Sequence, residues 1–274
     1  MQIKLKWNNF PAVAKLIILM SISTVVLATE SERQQYDVLF TTSWEHGVDD
    51  RLQYQMPERD SIEDVDFGIP ETPRALKVTI FRDQNYKGVA NGTPRAEISF
   101  GEFIKFHRNG DYLVNWQTYI PADYVLDKEQ PEVITQIHQG AQIKTGYPTF
   151  ALFLSADGGY GVRSHTQNSN DSIGKIFGNP TDDRGRVVNW SLHYIPDDTG
   201  KCALTELFKD GQRVFISKGT PNAYANDDNA YLKFGIYKAG WQVKPSDVRA
   251  RTMYFGRLSI FLKRWINRRS VRWQ

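Results

Sequence analysis

The sequence predicts an all-β fold, a sandwich or jelly roll of two antiparallel sheets, and three observations predict it. Short segments of alternating apolar and polar character recur between Gly, Pro, Asn and Asp turn signals. Few stretches carry a helical period. Aromatic residues make up 13% of the 274 positions, enough for a sizeable core, and that core must hold the fold by itself because Cys202 is the single cysteine. The lone cysteine also excludes a Cys/His metal cluster. No repeat period or low-complexity stretch is present.

The N-terminus comes first in order. Lys4, Lys6 and Lys15 give a positive start with no acidic residue before Glu30, and an apolar run fills residues 16–26. Val26-Leu27-Ala28 then supplies a peptidase-type site, so residues 1–28 are expected to be a secretory signal peptide, too short for a stable membrane span. A secreted or periplasmic location is the corresponding expectation. A mean hydropathy of −0.48 over the whole chain excludes an integral membrane protein beyond any N-terminal segment.

Strands are expected at residues 75–81, 112–120 (stopped by Pro121), 133–138, 149–155, 160–165 and 187–195. Residues 203–209 and 212–217 flank Asp210-Gly211, a dipeptide that favours a type I′ turn, and read as a hairpin. The acidic stretch 57–66 reads as a solvated loop. One domain is expected over residues 29–261, followed by a basic tail at 262–274. In that tail strand and amphipathic helix compete, because Leu258, Phe261, Leu262, Trp265 and Ile266 also fit a helical period.

Charge is informative once divided. The whole chain is +3, whereas residues 29–248 hold 23 basic against 31 acidic side chains, a net of −8. A body this acidic repels nucleic acid and heavily sulfated chains, and accommodates a moderately charged polyanion more easily. Residues 249–274 carry eight basic residues and no acidic one, suited to a polyanionic substrate or an anionic membrane surface.

Three strands present polar faces. In 231–237, alternation puts Tyr231, Lys233, Gly235 and Tyr237 on one face and Leu232, Phe234 and Ile236 on the other. In 95–100 the polar set is Arg95, Glu97 and Ser99, backed by Ala96, Ile98 and Phe100. In 134–138 it is Gln136 and His138, with Ile137 turned inward. Together these strands would line one cleft.

The three segments, in this order, resemble the motifs of jelly-roll polysaccharide lyases, a group that includes alginate lyases, glucuronan lyases and heparin lyase I. Arg95-Ala96-Glu97-Ile98-Ser99 is similar to the Arg-x-Glu-x-Arg strand of alginate lyases, with Ser99 in place of the second arginine. Gln136-Ile137-His138 matches their Gln-Ile-His strand. Tyr231-Leu232-Lys233-Phe234-Gly235-Ile236-Tyr237 is closer to the wording of heparin lyase I and glucuronan lyases. The likeness spans most of residues 72–261 and implies a concanavalin-like jelly roll that cleaves a uronate-containing polysaccharide by β-elimination. It further implies that Arg95, Gln136 and His138 neutralise the substrate carboxylate, with His138 and a tyrosine as base and acid. Tyr237 is the favoured tyrosine and Tyr231 the reserve. Lys233 and Glu97 would contact substrate or tune the tyrosine, and Arg163 and His165 would add substrate contacts.

The chemistry calls for these residue types. The C5 proton of a uronate is weakly acidic until fixed donors neutralise the adjacent carboxylate, where charge develops. A base then takes the proton and an acid protonates the leaving oxygen. The alternatives are a non-catalytic carbohydrate-binding jelly roll and a glycoside hydrolase, which needs two positioned carboxylates; no Glu-x-Asp-x-x-Glu strand is present. The expected partner is an anionic polysaccharide, with no nucleic acid and a monomeric enzyme. No cofactor is required by this chemistry. The resemblance also implies a structural calcium ion, yet no acidic loop follows a recognisable calcium-binding pattern and none is placed.

Overall fold

The computed structural model describes residues 35–144, 146–166 and 172–264. The expected signal peptide and residues 265–274 of the expected tail lie outside the described residues. The described chain forms β1 (Tyr36–Thr42), β2 (Gln53–Gln55), β3 (Ile62–Ile69), β4 (Thr72–Phe81), β5 (Arg95–Ser99), β6 (Tyr112–Tyr119), β7 (Glu132–His138) and β8 (Phe150–Leu154). It continues with β9 (Tyr160–Ser164), β10 (Ile173–Phe177), β11 (Val187–Ile195), β12 (Leu204–Lys209), β13 (Gln212–Lys218), β14 (Tyr231–Tyr237) and β15 (Ala250–Lys263).

One sheet runs β13-β12-β11-β6-β15-β4-β3, with β1 also paired to β15; the other runs β10-β9-β8-β7-β14-β5-β2. The strand ladders are antiparallel. Among the described residues no helix is long and apolar enough to cross a membrane. Alternation explains how the sheets meet. Leu76, Val78 and Ile80 of β4, Val114 and Trp116 of β6, and Val188, Trp190 and Leu192 of β11 turn inward from the first sheet. They join one core with Ile98 of β5, Ile137 of β7 and Leu232, Phe234 and Ile236 of β14 from the second. Trp116 and Trp190 stack at 6.1 Å between centroids, and the indole of Trp190 donates to Thr118 Oγ1 at 2.9 Å.

The expected hairpin is present as β12 and β13, with Lys209 opposite Gln212. Asp210 and Gly211 have φ of 50° and 78°, the left-handed pair that a type I′ turn requires. Two expectations need correcting. The acidic stretch read as a solvated loop contains most of β3. Its carboxylates face basic partners on β4, with Glu63 on Lys77 at 2.9 Å and Asp64 on Arg74 at 2.8 Å, so they mark an edge strand rather than a loop. Of the two alternatives for the last segment, the described residues take the strand: β15 runs unbroken through Lys263 and takes in Leu262 and Lys263 of the expected tail, while Trp265 and Ile266 lie outside the described residues. Strands β1, β2 and β10 were not anticipated.

At one end of the sandwich the sheets are joined by a buried ionic network. Lys238, the residue after β14, is fully buried and meets Asp127 at 2.9 Å and Glu132 at 3.9 Å. Arg251 of β15, in the opposite sheet, bonds Glu132 at 2.5 Å and lies 3.9 Å over the Tyr124 ring, whose hydroxyl donates to Glu132 at 2.8 Å. Two cations face two anions, and the cluster is balanced. Removing one member strands the others without water. Lys238→Ala is therefore expected to lower unfolding free energy by about 3–5 kcal/mol, read from urea unfolding; a loss within the usual surface range would show that the network does not hold the sheets.

Candidate active site

The topology brings the three polar strands together. β14 lies between β7 and β5, pairing Lys233 with Gln136 on one side and with Ser99 on the other. Tyr231 stands opposite His138, Gly235 opposite Glu97, and Tyr237 opposite Arg95. Because cross-strand partners point to the same face, these side chains share one surface of the second sheet. The row continues outward, from Gln136 to Ala151 on β8 and to Arg163 on β9.

Gly235 is what permits the close approach. Its φ of 135° is unfavourable for a residue with a side chain, and a Cβ there would sit 2.2 Å from the Ala96 carbonyl oxygen. With no side chain at this position, β5 closes against β14 and the face stays open between Lys233 and Tyr237.

The floor of this surface is polar yet buried. Arg95, Glu97, Gln136 and Lys233 are each 5% exposed or less. Glu97 is the hub: it accepts from Lys233 Nζ at 2.7 Å, from Arg95 Nη1 at 3.2 Å and from the Gln136 amide. Burial alone would raise the Glu97 carboxyl, but Lys233 and Arg95 outweigh it and hold it below the usual carboxylate range. Burial in turn lowers the Lys233 ammonium, against the pull of Glu97. Two cations thus share one anion, and the floor carries one excess positive charge. Arg95 Nε is buried without a partner. The two oxygens of Glu97 are thus engaged by three protein donors.

The half-buried groups stand at the two ends of the floor. At one end His138 and Tyr231 lie ring to ring, 5.5 Å between centroids. His138 Nδ1 is 2.9 Å from the Gln139 carbonyl oxygen, so Nδ1 carries the proton and the neutral ring leaves Nε2 as a free acceptor. Burial pulls His138 below its ordinary value of 6.5, and Lys233 adds to this. Burial and Glu97 push the Tyr231 phenol up. At the other end Tyr237 lies under the Arg95 guanidinium, 4.2 Å from it. Arg163 is exposed beside Phe153, and His165, with Nδ1 2.6 Å from Ser172 Oγ, lies farther along the same face. Lys105, 5.4 Å over the Tyr231 ring, was missed. It lies in a turn-rich segment where no periodicity marks it.

Among the described residues no three His, Cys, Asp or Glu side chains converge as a metal site. The buried carboxylates of Asp127 and Glu132 already face Lys238 and Arg251.

A family model described as polysaccharide lyase matches residues 44–259. Among solved structures, an endo-β-1,4-glucuronan lyase from the fungus Trichoderma reesei superposes with a TM-score of 0.61 at 14% identity, over 76% of this chain and 89% of that one. The catalytic domain of a laminarinase from Thermotoga maritima gives 0.57 at 12% identity, over 84% and 99%. An alginate lyase from Pseudomonas aeruginosa gives 0.51 at 13%, over 76% and 96%. At such identities the likeness is one of fold, the jelly roll. No curated protein matches the sequence.

The hub has a testable consequence. A carboxyl whose folded value is depressed stabilises the fold above its unfolded value and ceases to do so as pH falls through the folded one. Glu97→Gln is expected to cost about 3–5 kcal/mol near neutrality by leaving two buried cations unopposed. The gap to wild type should narrow as pH drops below the ordinary 4.5. Urea unfolding across that range checks it, and a gap independent of pH would mean that Glu97 is not an ionised anchor.

Proposed function

The chain belongs to the polysaccharide lyase family, and we propose that it cleaves a uronate-containing polysaccharide, of glucuronan or alginate type, by β-elimination. The observation that carries this reading is the excess positive charge on a buried polar floor, with a free imidazole nitrogen at one end and a tyrosine hydroxyl at the other. A buried charge left unbalanced calls for a counterion, and a uronate carboxylate is the counterion this substrate brings.

In the proposed step the carboxylate settles toward Arg95 and Gln136, and the charge that develops on it is stabilised by fixed dipoles and cations. His138 Nε2 removes the C5 proton. The C4–O bond breaks, the C4–C5 double bond forms, and Tyr237 protonates the departing oxygen. Burial keeps His138 toward the neutral form from which a base must start. Tyr237 is preferred over Tyr231 because the Tyr231 ring lies tilted against His138 itself, on the same side of the floor. This arrangement acts from two sides of the ring, as needed where the C5 proton and O4 lie on opposite faces. Where they share a face, Tyr237 takes both roles and His138 assists. We further take the enzyme to work outside the cytoplasm, on the strength of its N-terminal sequence alone, and to act as a monomer.

Elimination leaves a 4,5-unsaturated uronate that absorbs in the far ultraviolet, which hydrolysis and simple binding do not. Purified protein is expected to generate this absorbance on glucuronan or alginate; binding with no absorbance on any polyuronate would overturn the proposal in favour of a binding module. Tyr237→Phe and His138→Ala should each lower kcat by about 10²–10⁴-fold, with Tyr231→Phe falling short of that range. In wild type kcat/KM should rise with pH through a midpoint below 6.5, because the base must be neutral. A kcat/KM that falls as pH rises through that same range would exclude His138 as the base.

A further inference from the structure

The same face of the sheet extends beyond His138 to an aromatic surface that the elimination step does not use. Tyr147, on the connection from β7 to β8, is 66% exposed, and its ring stacks on His165 at 5.2 Å and 24°. A solitary exposed aromatic needs no explanation, but this one is fixed in place. The buried Tyr224 hydroxyl accepts from the Tyr147 N–H at 2.9 Å and donates to the Tyr147 carbonyl at 3.0 Å. Gly146 makes room for that clamp, since a Cβ there would lie 2.2 Å from the Tyr224 hydroxyl. Underneath, His165 is held through its N–H to Thr149 at 3.0 Å and through Ser172. Burial and the nearby Arg163 keep its imidazole toward the neutral form.

The position follows from the register. Arg163 stands in the row of Ala151, Gln136 and Lys233, and His165 lies two residues on, at the His138 end. The stack is therefore two strands away from β7, about 10 Å at the usual strand spacing, within a short run of linked sugar rings. A pyranose offers a face of C–H bonds that packs on an aromatic ring, and a rigid ring takes it at low conformational cost. We propose that the Tyr147–His165 stack is a platform for a further sugar unit of the polysaccharide chain, with the exposed Arg163 guanidinium between it and the floor as partner to a uronate carboxylate. The inference rests on reading the cleft as a polyuronate site.

Calorimetric titration of full-length protein in a His138→Ala background, which keeps turnover from consuming ligand, tests it with hexasaccharides and trisaccharides of glucuronan and alginate. Tyr147→Ala should weaken hexasaccharide binding about three- to tenfold, with a smaller effect on the trisaccharide, and Tyr147→Phe should retain wild-type affinity. Equal hexasaccharide affinity in Tyr147→Ala would overturn the platform, and unsaturated product from wild type would then leave the lyase proposal standing. Weakened binding without any unsaturated product would support the platform and sink the elimination. Absence of oligouronate binding altogether would overturn both.

Discussion

Glu97 is the residue on which the polar face depends. It stands on β5, bonds Lys233 on β14 and Gln136 on β7, and meets Arg95 on its own strand, so one carboxylate ties together the three strands of the candidate site. Like charges about 4 Å apart repel by roughly 4 kcal/mol at an effective dielectric of 20, so Arg95 and Lys233 share a floor only with an anion between them. The same anion also limits the site. By occupying the Gln136 amide it presets donor positions before substrate arrives, and such preorganisation is what makes fixed dipoles effective.

Two of the buried ionic clusters among the described residues differ in their arithmetic, and the difference separates structure from function. Around Lys238 and Arg251, two cations meet Asp127 and Glu132, and the charges cancel. Around Glu97 they do not. A balanced cluster locks the sheets, whereas an unbalanced one is stable only with help from solvent or a bound anion. The surrounding residues 29–248 are net negative by 8, so the positive floor is a local exception in a repelling field. Under the proposed reading this favours a chain of moderate charge that threads the cleft over a densely sulfated one.

The core and the site were legible in the sequence to different degrees. Alternation alone separated Leu232, Phe234 and Ile236 from Tyr231, Lys233 and Tyr237, because a strand has a period of two and β14 is central to its sheet. That β5, β7 and β14 line one cleft was expected from their polar faces and the order of their motifs, but the pairing with β14 at the centre was not legible, since pairing between distant segments leaves no mark in either one. Burial of the polar face was also hidden. Arg95 beside Glu97 reads like a surface ion pair until Lys233 is known to close on it. Edge strands failed for a related reason: β3 carries Glu63, Asp64 and Asp66, which look like loop residues unless Lys77 and Arg74 are known to lie opposite. Tyr147 gave no signal because its significance lies in a clamp from Tyr224, far along the chain.

The jelly roll by itself does not choose a reaction, for a laminarinase domain and a glucuronan lyase superpose on this chain almost equally well. The choice lies in what the shared sheet carries. Hydrolysis of a glycoside needs two carboxyl groups facing the bond, and the buried carboxylate that β5 presents on this face, Glu97, is engaged by Arg95, Gln136 and Lys233. Under the proposed reading, what the face offers instead is a proton acceptor, a proton donor and unbalanced positive charge. The acceptor depends on a backbone detail: because Gln139 O holds the Nδ1 proton, His138 turns its lone pair outward as Nε2. Under the proposed reading, that lone pair is the one that takes the proton beside the substrate carboxylate when the two reacting groups lie on opposite faces of the sugar ring.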